Sequence, residues 1–296
     1  MRVAIIGCGM LGYDLVKVFS EEKSNELYCF DISEKDNFLG YKVSYLDVTN
    51  FENTYKTITR INPDVIIHNA AITDVDKCED EPQVAYKVNV IGTKNVAIAA
   101  QKYDSLLVFV STDYVFDGEK KEEYTEFDEP SPINIYGKTK LEAEKIVREL
   151  CGRFLITRTA WLFGRNRENF VSYWYKNILE DKSIKVVKSQ CGSPTYSKNL
   201  AERIKFLVYN NKLGLYHLTN KGHATRVEVV KEICSFLRKK FDEKKVEILE
   251  PEEVFRGAKR PKNIVLRNFV WELENLPEVV SWQNALKDYL KEISTK

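Results

Sequence analysis

Six short runs of β-branched and other apolar residues recur between residues 3 and 157, and longer segments with helical patterning separate several of them. Each run is apolar throughout rather than alternating, which is typical of a strand covered on both faces in a parallel sheet. Strands that alternate with helices predict an α/β fold of the doubly wound type, in which ligands bind at the carboxyl ends of the strands. The six runs are Val3–Ile6, Leu27–Phe30, Val43–Leu46, Val65–Ile67, Leu106–Val110 and Phe154–Thr157.

Helical patterns fill several of the segments between these runs and continue beyond the last one. After the fifth run, Ala143, Ile146, Val147 and Leu150 fall at positions i, i+3, i+4 and i+7, which gives a helix one apolar face. Farther along, Thr225 is followed three residues later by a glutamate, a capping-box pattern that predicts a helix start. The predicted helices are Gly12–Ser20, Val84–Tyr103, Tyr136–Leu150, Phe170–Leu179, Leu200–Tyr209 and Val227–Phe236.

The regular alternation of strands and helices weakens after the sixth run. A Trp- and Tyr-rich helix and short strand segments follow, with no repeat and no low-complexity linker. We therefore predict a Rossmann-type doubly wound parallel sheet with a smaller C-terminal substrate-binding lobe. The large domain is expected over residues 1–164, joined by about 190–220, and the lobe over residues 165–189 and 221–296.

The balance of charge and the scatter of cysteine and histidine argue against several other classes of protein. Forty-five basic and 44 acidic side chains leave a formal charge of +1, so we expect neither nucleic acid nor an anionic membrane as a partner. No apolar run reaches the roughly 18 residues of a membrane span. The six cysteines include no C-x-x-C pair, which favours reduced thiols in the cytoplasm over a zinc or disulfide site. The three histidines are too dispersed to predict a metal site.

Three glycines, Gly7, Gly9 and Gly12, follow the first predicted strand and open the first helix. The first permits a tight turn, the second lets the backbone approach a pyrophosphate, and the third lets the helix pack on the strand. The helix N-terminus then offers free N–H groups to phosphates, so the pattern predicts a dinucleotide site. Asp31 lies 19 residues after Gly12, where a carboxylate accepts hydrogen bonds from a ribose 2′-hydroxyl and repels a 2′-phosphate. We expect NADH to be favoured, with NADPH possible because Lys35 is near.

A tyrosine and a lysine, Tyr136 and Lys140, are spaced i and i+4, on one face at the start of a helix. A nearby ammonium favours the phenolate and lowers the pKa of a tyrosine from about 10, which makes the tyrosine a usable acid or base. The same spacing also occurs in surface helices with a half-buried tyrosine, so the pair alone does not indicate catalysis. Upstream, Ser111 and Thr112 end the fifth strand, where hydroxyls either face a nicotinamide or cap a turn.

Taken together, these segments resemble those of the extended short-chain dehydrogenases/reductases, and within them the dTDP-4-dehydrorhamnose reductase family. The resemblance covers nearly the whole chain and is densest between Gly7 and Gly164. It departs at a late Arg-Pro-x-x-Ser motif, which here begins with Arg260 and lacks the serine. That arginine either pairs with a nucleotide diphosphate or is a surface residue before a proline turn. The matching segments are His68–Asp76, Ser111–Gly118, Tyr136–Glu144, Arg158–Gly164, Gly192–Thr195 and Leu215–Asn220.

The resemblance implies a role for each matching residue. Tyr136 is expected to protonate the C4 oxygen of a nucleotide-linked keto-sugar as hydride arrives from the nicotinamide. Thr112 is expected to hydrogen-bond that oxygen, and Lys140 to lower the pKa of Tyr136 and bind ribose. The implied substrate contacts are Thr73, Val75, Tyr114 and Trp161 around the sugar, and Arg260 at the nucleotide diphosphate. The implied cofactor contacts are Gly7, Gly9, Met10, Leu11, Gly12, Asp31, Asp47, Val48, Ala70, Ala71, Tyr136 and Lys140.

The expected function is reduction of dTDP-4-dehydro-L-rhamnose to dTDP-L-rhamnose by a cytoplasmic, NAD(P)H-dependent homodimer. An alternative from another class is a non-catalytic dinucleotide-binding subunit, because the fold also resembles the β subunit of methionine adenosyltransferase and both groups share the stretch from Tyr136 to Lys140. A reductase of another nucleotide-linked keto-sugar is a further alternative. A dehydratase is disfavoured because Tyr114 stands where a glutamate is expected.

Overall fold

The structure, a computed structural model, describes residues 1–188, 190–250 and 257–294. The strands are β1 (Arg2–Ile6), β2 (Glu26–Asp31), β3 (Lys35–Phe38), β4 (Tyr41–Tyr45), β5 (Val65–His68), β6 (Leu106–Thr112), β7 (Phe154–Thr159), β8 (Leu162–Phe163), β9 (Ile184–Val187), β10 (Cys191–Gly192), β11 (Thr195–Tyr196), β12 (Gly214–His217), β13 (Ala224–Thr225), β14 (Val246–Leu249) and β15 (Asn263–Ile264). The α-helices are α1 (Met10–Ser20), α2 (Phe51–Ile61), α3 (Val75–Asp80), α4 (Pro82–Tyr86), α5 (Gly92–Gln101), α6 (Ile135–Leu150), α7 (Phe170–Leu179), α8 (Ser197–Tyr209), α9 (Arg226–Phe236), α10 (Phe269–Leu273) and α11 (Trp282–Ser294).

Eight of the strands form one sheet in the order β12-β7-β6-β5-β1-β2-β4-β3. Every neighbouring pair is parallel except the edge pair β3 and β4, which is antiparallel. The chain runs outward from β1 through β2 and β4 and then returns to β5 on the other side, so the order reverses between β1 and β5. The predicted Rossmann-type doubly wound sheet is confirmed. Each of the six apolar runs belongs to one of its strands.

The apolar character of these strands follows from helices on both faces of the sheet. Val3 and Ile5 of β1 belong to the core beneath α1 and α8, whereas Ala4 and Ile6 belong to the core beneath α2, α5 and α6. Successive side chains of a strand point to opposite faces, so a strand covered on both sides is apolar at every position. This two-sided burial explains why the strands could be found without an alternating pattern.

The helix predicted over Val84–Tyr103 is interrupted in the structure. Between α4 and α5 the backbone makes a π-helical turn over Lys87–Ile91, which accommodates one extra residue per turn. The turn buries Asn89, whose amide binds both the N–H and the carbonyl of Ile72, at 2.8 and 3.0 Å. Its amide nitrogen also donates to the hydroxyl of Thr139 on α6, at 3.0 Å. These contacts are distant in sequence, and a periodic pattern alone does not indicate them.

A second core forms from residues after β7. It joins α7, α9 and α11 through Trp174, Ile233 and Tyr289 and is flanked by the short pairs β9–β14 and β8–β11. The capping box at Thr225 and Glu228 is confirmed at the start of α9. The predicted division of the chain into a large domain and a lobe stays a prediction, and residues 189, 251–256 and 295–296 of that lobe lie outside the described ranges. Among the described residues, no helix is long and apolar enough to cross a membrane.

Two histidines are fully buried within the fold. His217 at the end of β12 has its Nδ1 atom 3.1 Å from the carbonyl oxygen of Arg267, while its Nε2 atom has no hydrogen-bond partner among the described residues. His68 at the end of β5 has its Nε2 atom 3.1 Å from the hydroxyl of Thr93. Burial lowers the pKa of each imidazole from 6.5 to about 3, and the positive charges of Arg158 and Lys140 act in the same direction. Both rings are therefore neutral in the folded chain.

The buried imidazole of His217 should make the protein less stable as the pH falls. Below about pH 6.5 the unfolded chain binds a proton that the folded chain binds only near pH 3, so stability is lost across that window. Between pH 7 and 5 we expect His217→Gln to lose about 2 kcal/mol less unfolding free energy than the unmodified chain. Urea denaturation at the two pH values measures the difference. The same loss in both proteins would contradict the prediction, and His223→Gln, at a mostly exposed histidine, is the control.

Candidate active site

A cleft of about 330 Å³ opens at the carboxyl ends of β5, β6 and β7, beside the start of α1. Parallel strands bring these ends to one edge of the sheet, where side chains from separate parts of the sequence meet. The lining residues are Met10, Asn69, Ala71, Thr73, Val75, Val110, Ser111, Thr112, Asp113, Tyr114, Tyr136, Lys140, Thr159, Ala160, Trp161, Leu162, Phe170 and Arg226. Nine of the residues predicted for catalysis, sugar binding or cofactor binding are therefore brought together.

The three glycines between β1 and α1 have the geometry that a dinucleotide loop requires. Gly7 has a φ of +100°, and a Cβ atom there would lie 2.6 Å from the backbone nitrogen of Ala70. A Cβ on Gly12 would lie 2.2 Å from the carbonyl oxygen of Gly7, so a side chain would push α1 away from β1. In the part of the chain that the structure describes, no atom beyond the two neighbouring residues lies within 4 Å of the Cβ position of Gly9, and no side chain caps α1. The first turn of α1 thus presents free backbone N–H groups, which fit a pyrophosphate.

The end of β2 brings a carboxylate and an ammonium to the glycine loop. Asp31 accepts a hydrogen bond from the backbone N–H of Cys8 at 2.7 Å and another from the N–H of Ser33 at 3.1 Å. The Nζ atom of Lys35 donates to the carbonyl oxygen of Cys8 at 3.4 Å. A hydrogen-bond acceptor and a positive charge therefore lie together beside this loop.

The other predicted cofactor residues near this loop lie outside the lining of the cleft. Asp47 follows β4, and its carboxylate accepts the N–H of Thr49 at 2.9 Å. Val48 is buried, and its carbonyl oxygen accepts a hydrogen bond from Asn95 at 2.8 Å. Leu11 is buried in the core beneath α1. Their predicted cofactor contacts stay predictions.

Helix α6 carries Tyr136 and Lys140 into the cleft. Asn134 caps the helix by accepting the N–H of Gly137 at 2.8 Å. A Cβ on Gly137 would lie 2.0 Å from the carbonyl oxygen of Tyr114, so the glycine allows the helix to approach the end of β6. The rings of Tyr114 and Tyr136 meet edge to face with centroids 5.6 Å apart. The phenol of Tyr136 also has a hydrogen-bonding contact with the hydroxyl of Thr112.

Burial dominates the proton affinities of these groups. Removal from water raises the pKa of Tyr136 well above its ordinary value of 10, contrary to the lowering expected from Lys140, although the contact with Thr112 opposes the shift. Removal from water also lowers the pKa of Lys140 to about 7, with the negative charge of Glu144 acting in the opposite direction. The Nζ atom of Lys140 donates to the carbonyl oxygen of Val110 at 2.7 Å. The cleft thus holds a protonated phenol close to an amine that titrates near neutral pH.

Beneath the cleft lies a buried ion pair that sequence reasoning missed. Arg158 on β7 donates from Nε and Nη2 to the two carboxylate oxygens of Glu144 on α6, at 2.9 and 2.7 Å. Ser111 at the end of β6 donates to the same carboxylate at 2.5 Å. The sequence signal that could have indicated this pair was the position of Glu144, one helical turn after Lys140 and on the same face of the helix.

The lining of the cleft also contains predicted sugar contacts together with residues that were not predicted. Thr73, Val75, Tyr114 and Trp161 all line the cleft, as do the unpredicted side chains of Phe170, Arg226 and Asp113. Trp161 has a φ of +41°, an uncommon value for a residue with a side chain. A Cβ on Gly192 would lie 2.5 Å from its indole ring, so the glycine makes room for the tryptophan.

Two charged residues of this region differ in how they are paired. Arg260 lies outside the lining of the cleft and donates to both carboxylate oxygens of Asp76, each at 2.7 Å. Asp113 is buried and accepts a hydrogen bond from the hydroxyl of Thr112 at 2.9 Å, while its other carboxylate oxygen has no partner within residues 1–188, 190–250 and 257–294. Burial raises the pKa of Asp113 to about 7, which the hydrogen bond from Thr112 partly offsets. In the part of the chain that the structure describes, no three His, Cys, Asp or Glu side chains are grouped to hold a metal ion.

A doubly wound sheet, a glycine-lined helix start and a Thr, Tyr and Lys constellation at the strand ends define an oxidoreductase of the short-chain dehydrogenase/reductase class. The family model described as RmlD substrate binding domain matches residues 1–295. The chain therefore belongs to the dTDP-4-dehydrorhamnose reductase family, whose members are NAD(P)H-dependent oxidoreductases.

Individual relatives agree with this assignment. A dTDP-4-dehydrorhamnose reductase of Aggregatibacter actinomycetemcomitans is 37% identical over 227 residues, which are 74% of each chain. A crystal structure of the reductase from Clostridium acetobutylicum is 38% identical, with a TM-score of 0.89 over 99% of this chain and all of that one. The Bacillus anthracis reductase, solved in complex with NADP, is 37% identical, with a TM-score of 0.88 over 98% of this chain and 99% of that one.

Breaking the buried ion pair should destabilise the fold. Glu144→Gln leaves the guanidinium of Arg158 buried without a carboxylate, and we expect a loss of about 3–5 kcal/mol of unfolding free energy. Glu52→Gln is the matched control because Glu52 forms an exposed ion pair with Lys56 on α2, and it should have little effect. Urea denaturation compares the two variants. Equal stability of both would rule out the proposed importance of the buried pair.

Proposed function

We propose that this protein reduces the C4 keto group of dTDP-4-dehydro-L-rhamnose to the alcohol, with hydride from NADPH or NADH and a proton from Tyr136. The observation that carries the proposal is that Thr112, Tyr136 and Lys140 line one cleft beside the glycine loop of α1. The names and the high structural similarity of the relatives support the choice of substrate. The NADP complex of the Bacillus anthracis relative supports a nicotinamide dinucleotide as the reductant.

Tyr136 is the proposed proton donor. A bound nicotinamide supplies hydride to the carbonyl carbon, and negative charge then develops on the carbonyl oxygen. The raised pKa of Tyr136 keeps the phenol protonated at neutral pH, so a proton is available for that oxygen. The Thr112 hydroxyl, which contacts the phenol, is the second hydrogen-bond donor proposed for the same oxygen.

Lys140 is proposed to restore the proton of Tyr136 and to bind the nicotinamide ribose. Its pKa of about 7 lets the amine gain and lose a proton near neutral pH. The hydrogen bond to the carbonyl of Val110 fixes Nζ at the end of β6. Thr73, Val75 and Trp161, which line the same cleft, are proposed to surround the sugar ring.

The glycine loop and the residues that follow β2 are proposed to hold the adenosine half of the cofactor. Free N–H groups at the start of α1 suit the pyrophosphate, and the space above Gly9 lets it approach the backbone. Asp31 is proposed to accept a hydrogen bond from the 2′-hydroxyl of NADH, whereas Lys35 is proposed to pair with the 2′-phosphate of NADPH. We therefore propose that the protein accepts both cofactors.

Replacing the proposed proton donor should abolish most of the activity. With enzymatically prepared dTDP-4-dehydro-L-rhamnose, we expect Tyr136→Phe to lower kcat by about 100-fold or more, because the carbonyl oxygen then lacks its acid. The absorbance of the reduced nicotinamide measures the rate, and the KM for NADPH should change much less than kcat. Tyr103→Phe, at an exposed tyrosine, is the control.

Three outcomes of this assay are informative. Turnover that is lost in Tyr136→Phe and retained in the control supports both the reaction and its acid. Equal kcat values in the variant and the unmodified chain would reject Tyr136 as the donor. Tight cofactor binding by the unmodified chain without turnover would favour the non-catalytic subunit or a different keto-sugar.

Replacing Asp31 and replacing Lys35 should shift the preference between NADPH and NADH in opposite directions. We expect Lys35→Met to raise the KM for NADPH about 5- to 10-fold and to leave that for NADH nearly unchanged, since only NADPH has the 2′-phosphate. Asp31→Asn keeps a hydrogen-bond acceptor but removes the negative charge, so it should lower the KM for NADPH. Lys42→Met, at an exposed lysine of β4, is the control. A Lys35 variant that weakens both cofactors equally would disprove its contact with the phosphate.

A further inference from the structure

Arg226 brings a positive charge into the cleft that no sequence motif indicated. It is the first residue of α9, and its guanidinium carbon lies 3.6 Å from the ring centroid of Trp161 and 4.5 Å from that of Phe170. All three side chains line the same cleft as Tyr136. The two aromatic rings thus orient the guanidinium beside the volume available to a substrate.

The hydrogen-bond donors of Arg226 are not used within the described parts of the chain. No hydrogen bond or ion pair joins its guanidinium to residues 1–188, 190–250 or 257–294. Arg158 and Arg260, by contrast, each donate twice to a carboxylate, that of Glu144 and that of Asp76. Arg226 therefore has five N–H donors that a ligand can engage.

The electrostatics of the cleft around Arg226 favour an anionic ligand. Burial lowers the pKa of Arg226 to about 10, while Tyr114 and Asp113 act in the opposite direction, so the group is charged at neutral pH. A partly desolvated cation without a paired carboxylate is costly, and a bound anion offsets that cost. A planar guanidinium also matches the spacing of phosphate oxygens with two parallel hydrogen bonds.

We infer that Arg226 binds the diphosphate of the nucleotide-sugar substrate while its guanidinium stacks on Trp161. This inference rests on the proposed function, because it assigns a contact within the same cleft to the same substrate. It assigns the diphosphate contact to Arg226 and not to Arg260. Arg260 forms a bidentate ion pair with Asp76 outside the lining of the cleft.

The test compares the binding of dTDP and thymidine, which differ in the diphosphate alone. For Arg226→Gln we expect the dissociation constant of dTDP to rise about 10- to 100-fold, with that of thymidine nearly unchanged. Arg226→Lys keeps the positive charge but loses the paired N–H donors of the guanidinium, so the rise in the dissociation constant of dTDP should be intermediate. Arg267→Gln is the matched control, because Arg267 also stacks on a ring, that of Phe269, but pairs with Glu272 away from the cleft. Titration calorimetry on the full chain measures each constant.

Steady-state kinetics give a second readout. In Arg226→Gln, the KM for the nucleotide sugar should rise about 10- to 100-fold, whereas kcat and the KM for NADPH should change little. Equal weakening of dTDP and thymidine would mean that Arg226 acts by holding Trp161, and would overturn the inference. Unchanged dTDP binding would overturn it as well.

Turnover by the unmodified chain separates this inference from the proposed function. Binding of dTDP that depends on Arg226, in a chain that does not reduce the keto-sugar, would keep the inference and reject the reaction. Reduction of the keto-sugar with an unchanged KM in Arg226→Gln would keep the reaction and reject the inference. A lack of dTDP binding by the unmodified chain would reject both.

Discussion

The geometry of the cleft depends on the buried carboxylate of Glu144. Three hydrogen bonds reach it, two from Arg158 on β7 and one from Ser111 on β6, and each of its partners belongs to a different strand. The carboxylate therefore fixes α6 against the ends of two adjacent strands. Lys140 lies one turn earlier on that helix and Thr112 follows Ser111, so the proposed reacting groups share a common rigid support.

Burial in the cleft moves every titratable group toward its neutral form. It raises the pKa values of Tyr136 and Asp113 and lowers those of Lys140 and Arg226. The shifts bring the carboxyl and the amine to about 7 and leave the phenol protonated and the guanidinium charged. One physical cause, removal from water, thus gives a cleft with a protonated phenol, a titrating amine and a fixed cation.

Local sequence signals were sufficient to predict the sheet and the glycine loop. They were not sufficient to predict residues whose positions depend on contacts between distant parts of the sequence. Strand runs and the glycine spacing each depend on a few adjacent residues, and the structure has them where they were predicted. The π-helical turn depends on Asn89 reaching Ile72 and Thr139, and the charge of Arg226 in the cleft depends on α9 packing beside β8 and α7. Neither contact leaves a periodic pattern or a motif. The roles of Thr112 and of the sugar contacts were predicted from the family resemblance, because residue spacing alone did not indicate them.

Trp161 brings together segments that are far apart in the sequence. The residue follows β7 in a left-handed backbone conformation. Gly192 makes room for the indole, because any side chain there would overlap the ring, and Arg226 stacks on the ring from α9. A glycine far along the chain is thus required by a tryptophan beside the proposed catalytic groups. The shape of the proposed sugar site therefore depends on residues that are far from Trp161 in the sequence.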